Sequence, residues 1–465
     1  MASSPKTKGG NSIPQKTATK VSRRINTGYI LPDGPKTPFL VRLLLTSFDR
    51  SKSLSFDERR TQYGTDFTIK LPIFGKCLVV SEPDEIRPLF KADPAELGNP
   101  DPNLGSLLGS GSLFALSDEP HRAHRKLLTP AFHGNRLAEY RDLMAEEARA
   151  GMADWPAGES VASLPAMRAI TLNIILRTVF GAEGHILNRL RDLLPRMAGL
   201  GSILAALPIP QWQLFGYAPW GRFNRMRAEY NEIIDELITR ARADPAIEQR
   251  SDILAMLIGA TYDDGTPMSD SEIADELLTL LAAGHETIAA ALAWAIDRLR
   301  RHPAFLDKLV AAVDAGDEEL LDATINEVQR TRPAIAMPAR RVLADHYAVG
   351  PWRVPRGMHI MIAIPLVHTD PRLFDDPNQF RPERFLGKRP DPYELVPFGG
   401  GLRRCIGAAF AHLELKVVLR TLLTEHVLVP TSERGEATHS RGVAVAPADG
   451  GQIVRHPRQT MQDVS

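Results

Sequence analysis

The chain has 465 residues, which is enough for one large domain or for two or three domains of ordinary size. Its 56 Lys and Arg residues balance 56 Asp and Glu residues, so the formal net charge is zero, which disfavours a general nucleic-acid binder because such proteins carry a basic excess. The two cysteines, Cys77 and Cys405, share no local pairing motif, which excludes a disulfide framework, a CxxC redox pair and a four-cysteine zinc site. This cysteine usage is typical of a reducing compartment, so we expect a cytoplasmic protein.

The first 28 residues have the composition of a disordered tail. They contain six basic residues and no acid, and they are too polar to bury the apolar surface that would offset the entropy of ordering. An organelle transit peptide is the alternative, since such segments are also basic and poor in acid. No apolar run of about 20 residues lies near the N-terminus, so the sequence predicts no transmembrane anchor. Residues 29–465 contain no repeat and no Pro- or Ser-rich linker, and we expect them to form one domain.

Helical periodicity dominates the domain, and strands are few. The sequence predicts one hairpin from Phe67–Leu71 and Cys77–Val80, and a second from Tyr347–Val354 and His359–Ala363. The helices predicted outside the central one are Pro120–Leu128, Leu137–Asp154, Met226–Ala243, Leu320–Arg330 and Gly407–His426.

Two apolar stretches need an explanation other than a membrane span. Met197–Gly221 carries no charge but is interrupted by prolines, so we expect a loop between helices. Three roles stay open for residues 207–220: a packed loop, an access lid, or a segment that touches a membrane surface. The second stretch belongs to a helix that begins at a capping box of Ser269 and Glu272 and extends for about 30 residues, roughly 45 Å. A helix that is apolar all round is buried in lipid or in a large core, and a central core helix is favoured. The expected fold class is mainly α with small β-sheets (α+β).

The strongest chemical signal is the segment from Phe398 to Gly407, with three consecutive glycines before Cys405. Glycines let the backbone turn sharply and approach another group closely. Cys405 stands at the start of a predicted helix, whose amides and dipole favour an anion, so we expect a thiolate suited to a soft metal ion, for example as the axial ligand of haem iron. A buried structural cysteine, the interpretation we prefer for Cys77, and a hydrolytic Cys-His nucleophile are the alternatives.

The pattern Phe398-x-x-Gly401-x-Arg403-x-Cys405-x-Gly407 resembles the cysteine-ligand loop of the cytochrome P450 family. The resemblance implies a single cytochrome P450-like domain, with haem b buried between the long central helix and the cysteine-loop helix. It assigns the iron to the Cys405 thiolate and places Phe398, Arg403 and Gly407 among the haem-binding residues.

Two further parts of the sequence also resemble the cytochrome P450 family: the residues that support the cysteine loop and the oxygen-binding segment. The resemblance implies a buried triad of Glu327, Arg330 and Arg384 beneath the cysteine loop, as structural support. It also matches the central helix, residues 283–287, to the family's oxygen-binding motif, with Ala283 and Gly284 packed against the macrocycle. Thr287 is then assigned to stabilising iron-bound peroxide and Glu286 to proton delivery; a kinked helix with capped polar groups is the alternative. A zinc-protease motif is excluded because position 289 is alanine.

The haem propionates need cations or hydrogen-bond donors. His121 and Arg125 stand four residues apart on one helical face, where Ser117 can cap the helix, and this spacing is similar to the family's propionate-binding pair. Arg340 and Arg403 complete the implied set.

The implied reaction inserts one atom of O2 into a C–H or C=C bond of a small lipophilic substrate. Since no dinucleotide-binding motif is visible, the electrons are expected from a ferredoxin or flavodoxin and its reductase, so that NAD(P)H acts only through the reductase. An acidic donor would be attracted by basic residues such as Arg122, Lys126, Arg404 and Lys416. A peroxide-dependent enzyme, an isomerase or dehydratase, and a non-catalytic haem-binding protein remain alternatives. The substrate pocket is expected to include Phe114, Leu280, Ile335, Met337 and Val443.

Overall fold

The computed structural model describes residues 30–35, 56–71, 74–100, 103–206, 218–441 and 444–458. The predicted tail, 1–28, lies outside the described residues, as do the segment 207–217 and the predicted pocket residue Val443. The division into a tail and one domain therefore stays a prediction.

Helices make up most of the described chain and surround one large core. The longest is Asp270–Arg300, and its neighbours in contact include the helices Ser163–Thr178, Glu319–Thr331 and Ala408–Glu425. In chain order the helices are α1 Phe56–Tyr63, α2 Pro83–Lys91, α3 Asn103–Leu108, α4 Asp118–Leu128, α5 Asn135–Met152, α6 Ser163–Thr178, α7 Gly184–Ala206, α8 Pro219–Ala243, α9 Ile253–Gly259, α10 Asp270–Arg300, α11 Pro303–Asp314, α12 Glu319–Thr331, α13 Ile364–His368 and α14 Ala408–Glu425.

The strands form one mixed sheet and several two-stranded ribbons. The strands are β1 Phe67–Leu71, β2 Gly75–Val80, β3 Leu97–Gly98, β4 Val161–Ala162, β5 Ala339–Val342, β6 His346–Val349, β7 Trp352–Pro355, β8 His359–Ile362, β9 His426–Leu428, β10 Thr438–Arg441, β11 Ala444–Pro447, β12 Gln452–Ile453 and β13 Arg455–Pro457. The mixed sheet has five strands in the order β1-β2-β8-β5-β3, in which only β2 and β8 are parallel. A mainly helical fold with small sheets is confirmed.

The central helix α10 agrees with its sequence prediction. The Ser269 hydroxyl accepts from the Glu272 amide, the Glu272 carboxylate accepts from the Ser269 amide, and the helix continues unbroken for 31 residues. Within the described part of the chain it is the one helix long and apolar enough to pass a test for a membrane span. About 67% of its most apolar window is buried inside the protein, which is the property of a core helix.

Two sequence predictions about local structure are wrong. Strand β8 does not form a hairpin with the preceding strand, because β6 and β7 pair with each other around Gly350 (φ +49°), while β8 inserts between β2 and β5. All four residues of β8 are buried, as in a strand covered on both faces. The expected loop Met197–Gly221 is also too long, since α7 continues to Ala206 with Leu204 buried, and α8 begins at Pro219.

Candidate functional site

The cysteine loop is a tight turn that closes on itself and packs against α2. The Cys405 amide donates to the carbonyl of Phe398 at 2.9 Å, and Gly401–Arg403 forms one turn of 3-10 helix between them. Gly401 has φ +62°, and a Cβ there would lie 1.7 Å from the carbonyl oxygen of Phe90. Only glycine fits this position, because both the left-handed backbone and the close approach exclude a side chain.

The Cys405 thiol is accessible to water but lies among protein atoms at the start of α14. Burial raises the pKa of the thiol above its ordinary value, and the Gly407 amide and the guanidiniums of Arg404 and Arg125 oppose that rise. In the protein by itself, the helix start and the two guanidiniums therefore do not outweigh the effect of burial on this pKa. A thiolate at Cys405 needs additional positive charge, such as a bound metal ion provides. Cys77 is buried in strand β2, and burial raises its pKa to about 12, which suits a structural thiol.

The middle of α10 carries a patch of small accessible residues. Ala282 and Ala283 are exposed although the helix is otherwise largely buried, so this face borders a cleft. Gly284 differs, because a Cβ at that position would lie 3.0 Å from the Ile175 side chain on α6. Its small size therefore permits close packing of two helices, and its contact with a macrocycle stays a prediction.

Polar groups next to this patch are held by α6. Both Nη2 and Nε of Arg168 donate to one carboxylate oxygen of Glu286, at 2.6 and 3.0 Å. The neighbouring His285 is buried, and its Nε2 lies 3.1 Å from the carbonyl oxygen of Arg168. The Thr287 hydroxyl donates to the Ala283 carbonyl at 2.7 Å within the continuous helix α10. Sequence reasoning missed Arg168, since nothing in its own helix indicates a partner more than a hundred residues away.

The four residues predicted for the propionates come together on one side of the cysteine loop. His121, Arg340 and Arg403 line a common cleft, and Arg125 lies close enough to lower the pKa of both His121 and Arg403. Burial, together with the three guanidiniums, lowers the pKa of His121 to about 3, so it is a neutral imidazole. Ser117 occupies the N-cap position of α4 but makes no side-chain capping hydrogen bond, contrary to expectation.

This cluster is a strongly basic site. Burial, with repulsion from Arg340 and Arg125, lowers the pKa of Arg403 to about 10, and burial lowers that of Arg340 to about 10 as well. The Arg403 guanidinium donates to the carbonyls of Leu113 and Leu116, at 3.1 and 2.6 Å. Within the described residues no carboxylate forms an ion pair with Arg125, Arg340 or Arg403. Three cations without an acidic partner fit the two carboxylates of a haem group.

The predicted triad is a buried ion-pair network. Arg330 donates from Nε and Nη2 to the two oxygens of Glu327 at 2.7 and 2.8 Å, and Arg384 Nε lies 3.2 Å from the same carboxylate. The Arg381 amide adds a hydrogen bond to Glu327 at 2.8 Å. Glu327 and Arg330 side chains are fully buried. The structure thus brings the three predicted residues together, and it adds His368, which sequence reasoning missed and which contacts the carbonyl of Arg330.

The predicted pocket residues are spread over several elements. Phe114 is exposed on the loop before α4, and Leu280 is buried in the main core. Met337 packs against the apolar cluster that contains Phe67 of strand β1, and Ile335 is half-buried. Their contact with a substrate stays a prediction.

The family model described as Cytochrome P450 matches residues 32–453. The chain belongs to the cytochrome P450 family. A protein of Mycobacterium tuberculosis (strain ATCC 25618 / H37Rv), provisionally named cytochrome P450 138, is 47% identical over 428 residues, which are 92% of this chain and 97% of that protein. A second protein of that strain, provisionally named cytochrome P450 135B1, is 38% identical over 432 residues, 91% of each chain.

Solved cytochrome P450 structures share the fold. A retinoic acid-bound cyanobacterial CYP120A1 superposes with a TM-score of 0.77 at 25% identity, covering 89% of this chain and 96% of that one. The haem domain of cytochrome P450DA gives a TM-score of 0.76 at 23% identity, covering 92% and 98%. As a cytochrome P450, the chain is a haem-iron oxidoreductase of the monooxygenase class, with thiolate ligation.

Proposed function

We propose that this chain is a monooxygenase that inserts one atom of O2 into a C–H or C=C bond of a lipophilic substrate, with Cys405 as the axial ligand of haem b. The observation that carries the proposal is the unpaired basic cluster of Arg125, Arg340 and Arg403 beside the glycine-shaped cysteine loop. When bound, haem with a thiolate ligand would supply the O2 chemistry, in which one oxygen atom enters the substrate and the other becomes water, with two electrons and two protons supplied from outside.

The chain's own residues hold and orient the group. The guanidiniums of Arg125, Arg340 and Arg403 would bind the two propionates, and His121 would add a neutral donor because its pKa is about 3. Arg403 belongs to the cysteine loop and Arg340 to strand β5, so the propionate side is held by two separate parts of the fold. The exposed Ala282 and Ala283 offer a low surface against which a flat ring can lie.

Proton handling is the proposed task of Glu286 and Thr287. Arg168 forms a charge-assisted contact with the Glu286 carboxylate, so Glu286 must exchange that contact for water before it carries a proton. The Thr287 hydroxyl donates to the Ala283 carbonyl. Rotation of the Thr287 side chain would let the hydroxyl donate instead to a molecule bound at the accessible face of α10.

Electrons and substrate come from outside the chain. The proposed donor is an acidic ferredoxin or flavodoxin, reduced in turn by an NAD(P)H-dependent reductase, and the two free cysteines suit the reducing cytoplasm. Lys416 is not part of the proposed docking surface, since its ammonium group donates to Glu318 and Asp322 and its side chain is only 12% exposed. Arg404 is exposed beside Cys405, which makes it the best-placed cation for a donor. The retinoic acid bound in the CYP120A1 structure supports the proposal of a lipophilic substrate for this chain.

The test is the absorption spectrum of the purified, reduced chain with carbon monoxide. We expect the long-wavelength band of a thiolate-ligated haem in the natural chain and in a Cys77→Ser variant, because Cys77 is buried in strand β2 away from the loop. Cys405→Ser should abolish this band and reduce turnover at least a hundredfold, since the thiolate ligand is lost. An imidazole-type spectrum in the natural chain would overturn the proposal. Turnover with peroxide and without a reductase would identify the peroxide-dependent alternative.

A further inference from the structure

His368 lies between the ion-pair triad and the segment that leads into the cysteine loop. It is the last residue of α13 and has no exposed surface. Val396, its partner on the other side, is 1% exposed and stands two residues before Phe398. The imidazole is thus placed between two elements that the sequence separates by tens of residues.

Both ring nitrogens of His368 have main-chain partners. Nδ1 lies 3.0 Å from the carbonyl oxygen of Arg330, and Nε2 lies 3.0 Å from the amide nitrogen of Val396. Since a carbonyl only accepts and an amide only donates, Nδ1 carries the proton and Nε2 accepts. The ring is neutral in this arrangement, and burial lowers its pKa to about 3. A single tautomer therefore satisfies both contacts.

The contact with Arg330 completes a helix end. Arg330 lies in the last turn of α12, where carbonyl groups have no partner within the helix. His368 Nδ1 supplies that partner, and the Arg330 guanidinium in turn donates to the His368 carbonyl at 2.6 Å. Phe374 packs on both, with its ring centre 5.1 Å from the guanidinium and 6.3 Å from the imidazole. Two hydrogen bonds and one aromatic ring thus fix His368 against the triad.

The contact with Val396 continues through main-chain hydrogen bonds to the backbone of Cys405. The Val396 carbonyl accepts from the Gly399 amide at 3.1 Å, and the Phe398 carbonyl accepts from the Cys405 amide at 2.9 Å. A chain of hydrogen bonds therefore begins at Glu327, passes through Arg330 and His368, and reaches the turn that carries Cys405.

We propose that His368 is a positioning residue, which transmits the fixed geometry of the triad to the cysteine loop and so keeps the Cys405 thiol oriented for the iron. This inference rests on the proposed haem-thiolate function. Phenylalanine would fill the same space, but it would leave the Val396 amide and the Arg330 carbonyl unpaired in the interior. Glutamine can supply a donor and an acceptor, although on a flexible chain.

The experiment compares His368→Phe and His368→Gln with a matched control, His359→Phe, in the haem-loaded chain. His359 is also buried and also contacts two main-chain groups, the carbonyls of Phe74 and Pro100, but it lies in the mixed sheet. The readouts are the melting temperature, the haem content and the fraction of the carbon monoxide complex with the thiolate-type band. Amide hydrogen exchange at Val396 in the same samples reports the hydrogen bond directly.

We expect His368→Phe to lose at least half of the thiolate-type complex and to accelerate exchange at Val396 tenfold or more, with partial rescue in His368→Gln. His359→Phe should lower the melting temperature while keeping the thiolate fraction of the natural chain. Equal thiolate fractions in His368→Phe and His359→Phe would overturn the inference. If His368→Phe does not fold, His368→Leu takes its place, because leucine also removes both ring nitrogens; unchanged exchange at Val396 and an unchanged band in that variant would overturn the inference. A natural chain without the band would instead refute the proposed function.

Discussion

At the scale of single residues, the carboxylate of Glu327 has the most demanding environment in the triad. It is fully buried and is balanced by Arg330 and Arg384 together with the Arg381 amide. Removing one partner of a buried pair leaves a charge without compensation, which costs far more than the pair contributes.

We therefore predict that Arg330→Met lowers the free energy of unfolding by about 3–5 kcal/mol. The control is Arg356→Met, whose ion pair with Asp345 is exposed on both sides, and it should change stability by less than about 1 kcal/mol. Denaturant unfolding of the three proteins measures the difference. Similar losses in both variants would contradict the buried-charge argument.

A second residue-scale feature is an acid pair at the first turn of α2. Asp66 and Glu85 share a hydrogen bond, and Trp352 donates to Asp66 at 2.7 Å. Burial, then the Asp66 charge and its hydrogen bond, then the Glu82 charge raise the pKa of Glu85 from an ordinary 4.5 to about 8. The Arg372 guanidinium forms ion pairs with Glu82 and Asp370, and therefore does not neutralise the acid pair.

This pair makes stability depend on pH. Between about pH 4.5 and 8 the folded chain holds a proton that the unfolded chain has lost, so the contribution of Glu85 falls as pH rises, by at most about 1.4 kcal/mol per pH unit. Glu85→Gln should match the natural chain near pH 4.5 and be more stable at pH 8. Unfolding curves across this range test the prediction, with the exposed Glu159→Gln as control. A constant difference between Glu85→Gln and the natural chain would contradict it.

At the scale of elements, hydrogen bonds hold the loop between α3 and α4 against α10. The amides of Gly111 and Leu113 donate to Asp275 and Glu276, both at 2.9 Å, and Arg227 on α8 pairs with Asp275. The Leu113 carbonyl also accepts from Arg403. One loop thus connects the central helix to the cysteine loop, next to the exposed Phe114.

We predict that Asp275→Ala accelerates amide hydrogen exchange at Gly111 about 10- to 100-fold. A hydrogen bond to a charged group contributes about 1.5–3 kcal/mol, and about 1.4 kcal/mol corresponds to a factor of ten. Asp275→Asn keeps an acceptor oxygen and should show a smaller effect. Exchange that is unchanged at Gly111 in Asp275→Ala would show that the loop is held by other contacts.

At the scale of the whole molecule, charge is balanced, with 56 basic and 56 acidic residues. A neutral chain exerts little long-range attraction, and salt limits the remaining fields to a Debye length of about 8 Å at physiological ionic strength. An acidic electron donor must therefore be attracted by local cations, of which Arg404 lies beside the cysteine.

We predict that Arg404→Glu slows reduction by the donor about tenfold at low salt and much less at high salt, because the attraction is screened. Arg356→Glu, directly after β7 at the end of the β6–β7 ribbon, is the control and should leave the rate unchanged. Stopped-flow reduction at several salt concentrations provides the measurement. A loss in Arg404→Glu that is independent of salt would argue against electrostatic docking.

Much of this protein could be predicted from local patterns in the chain. The capping box at Ser269 and Glu272 determines where α10 begins, because both partners lie within one turn. Gly399 and Gly401 determine a tight turn before Cys405, because their positive φ angles disfavour other residues. The sheet partner of β8, the ion pair of Glu286 with Arg168 and the contacts of His368 were decided only by the tertiary structure. Their partners lie far apart in sequence, and long-range packing, rather than a local preference, brings them together.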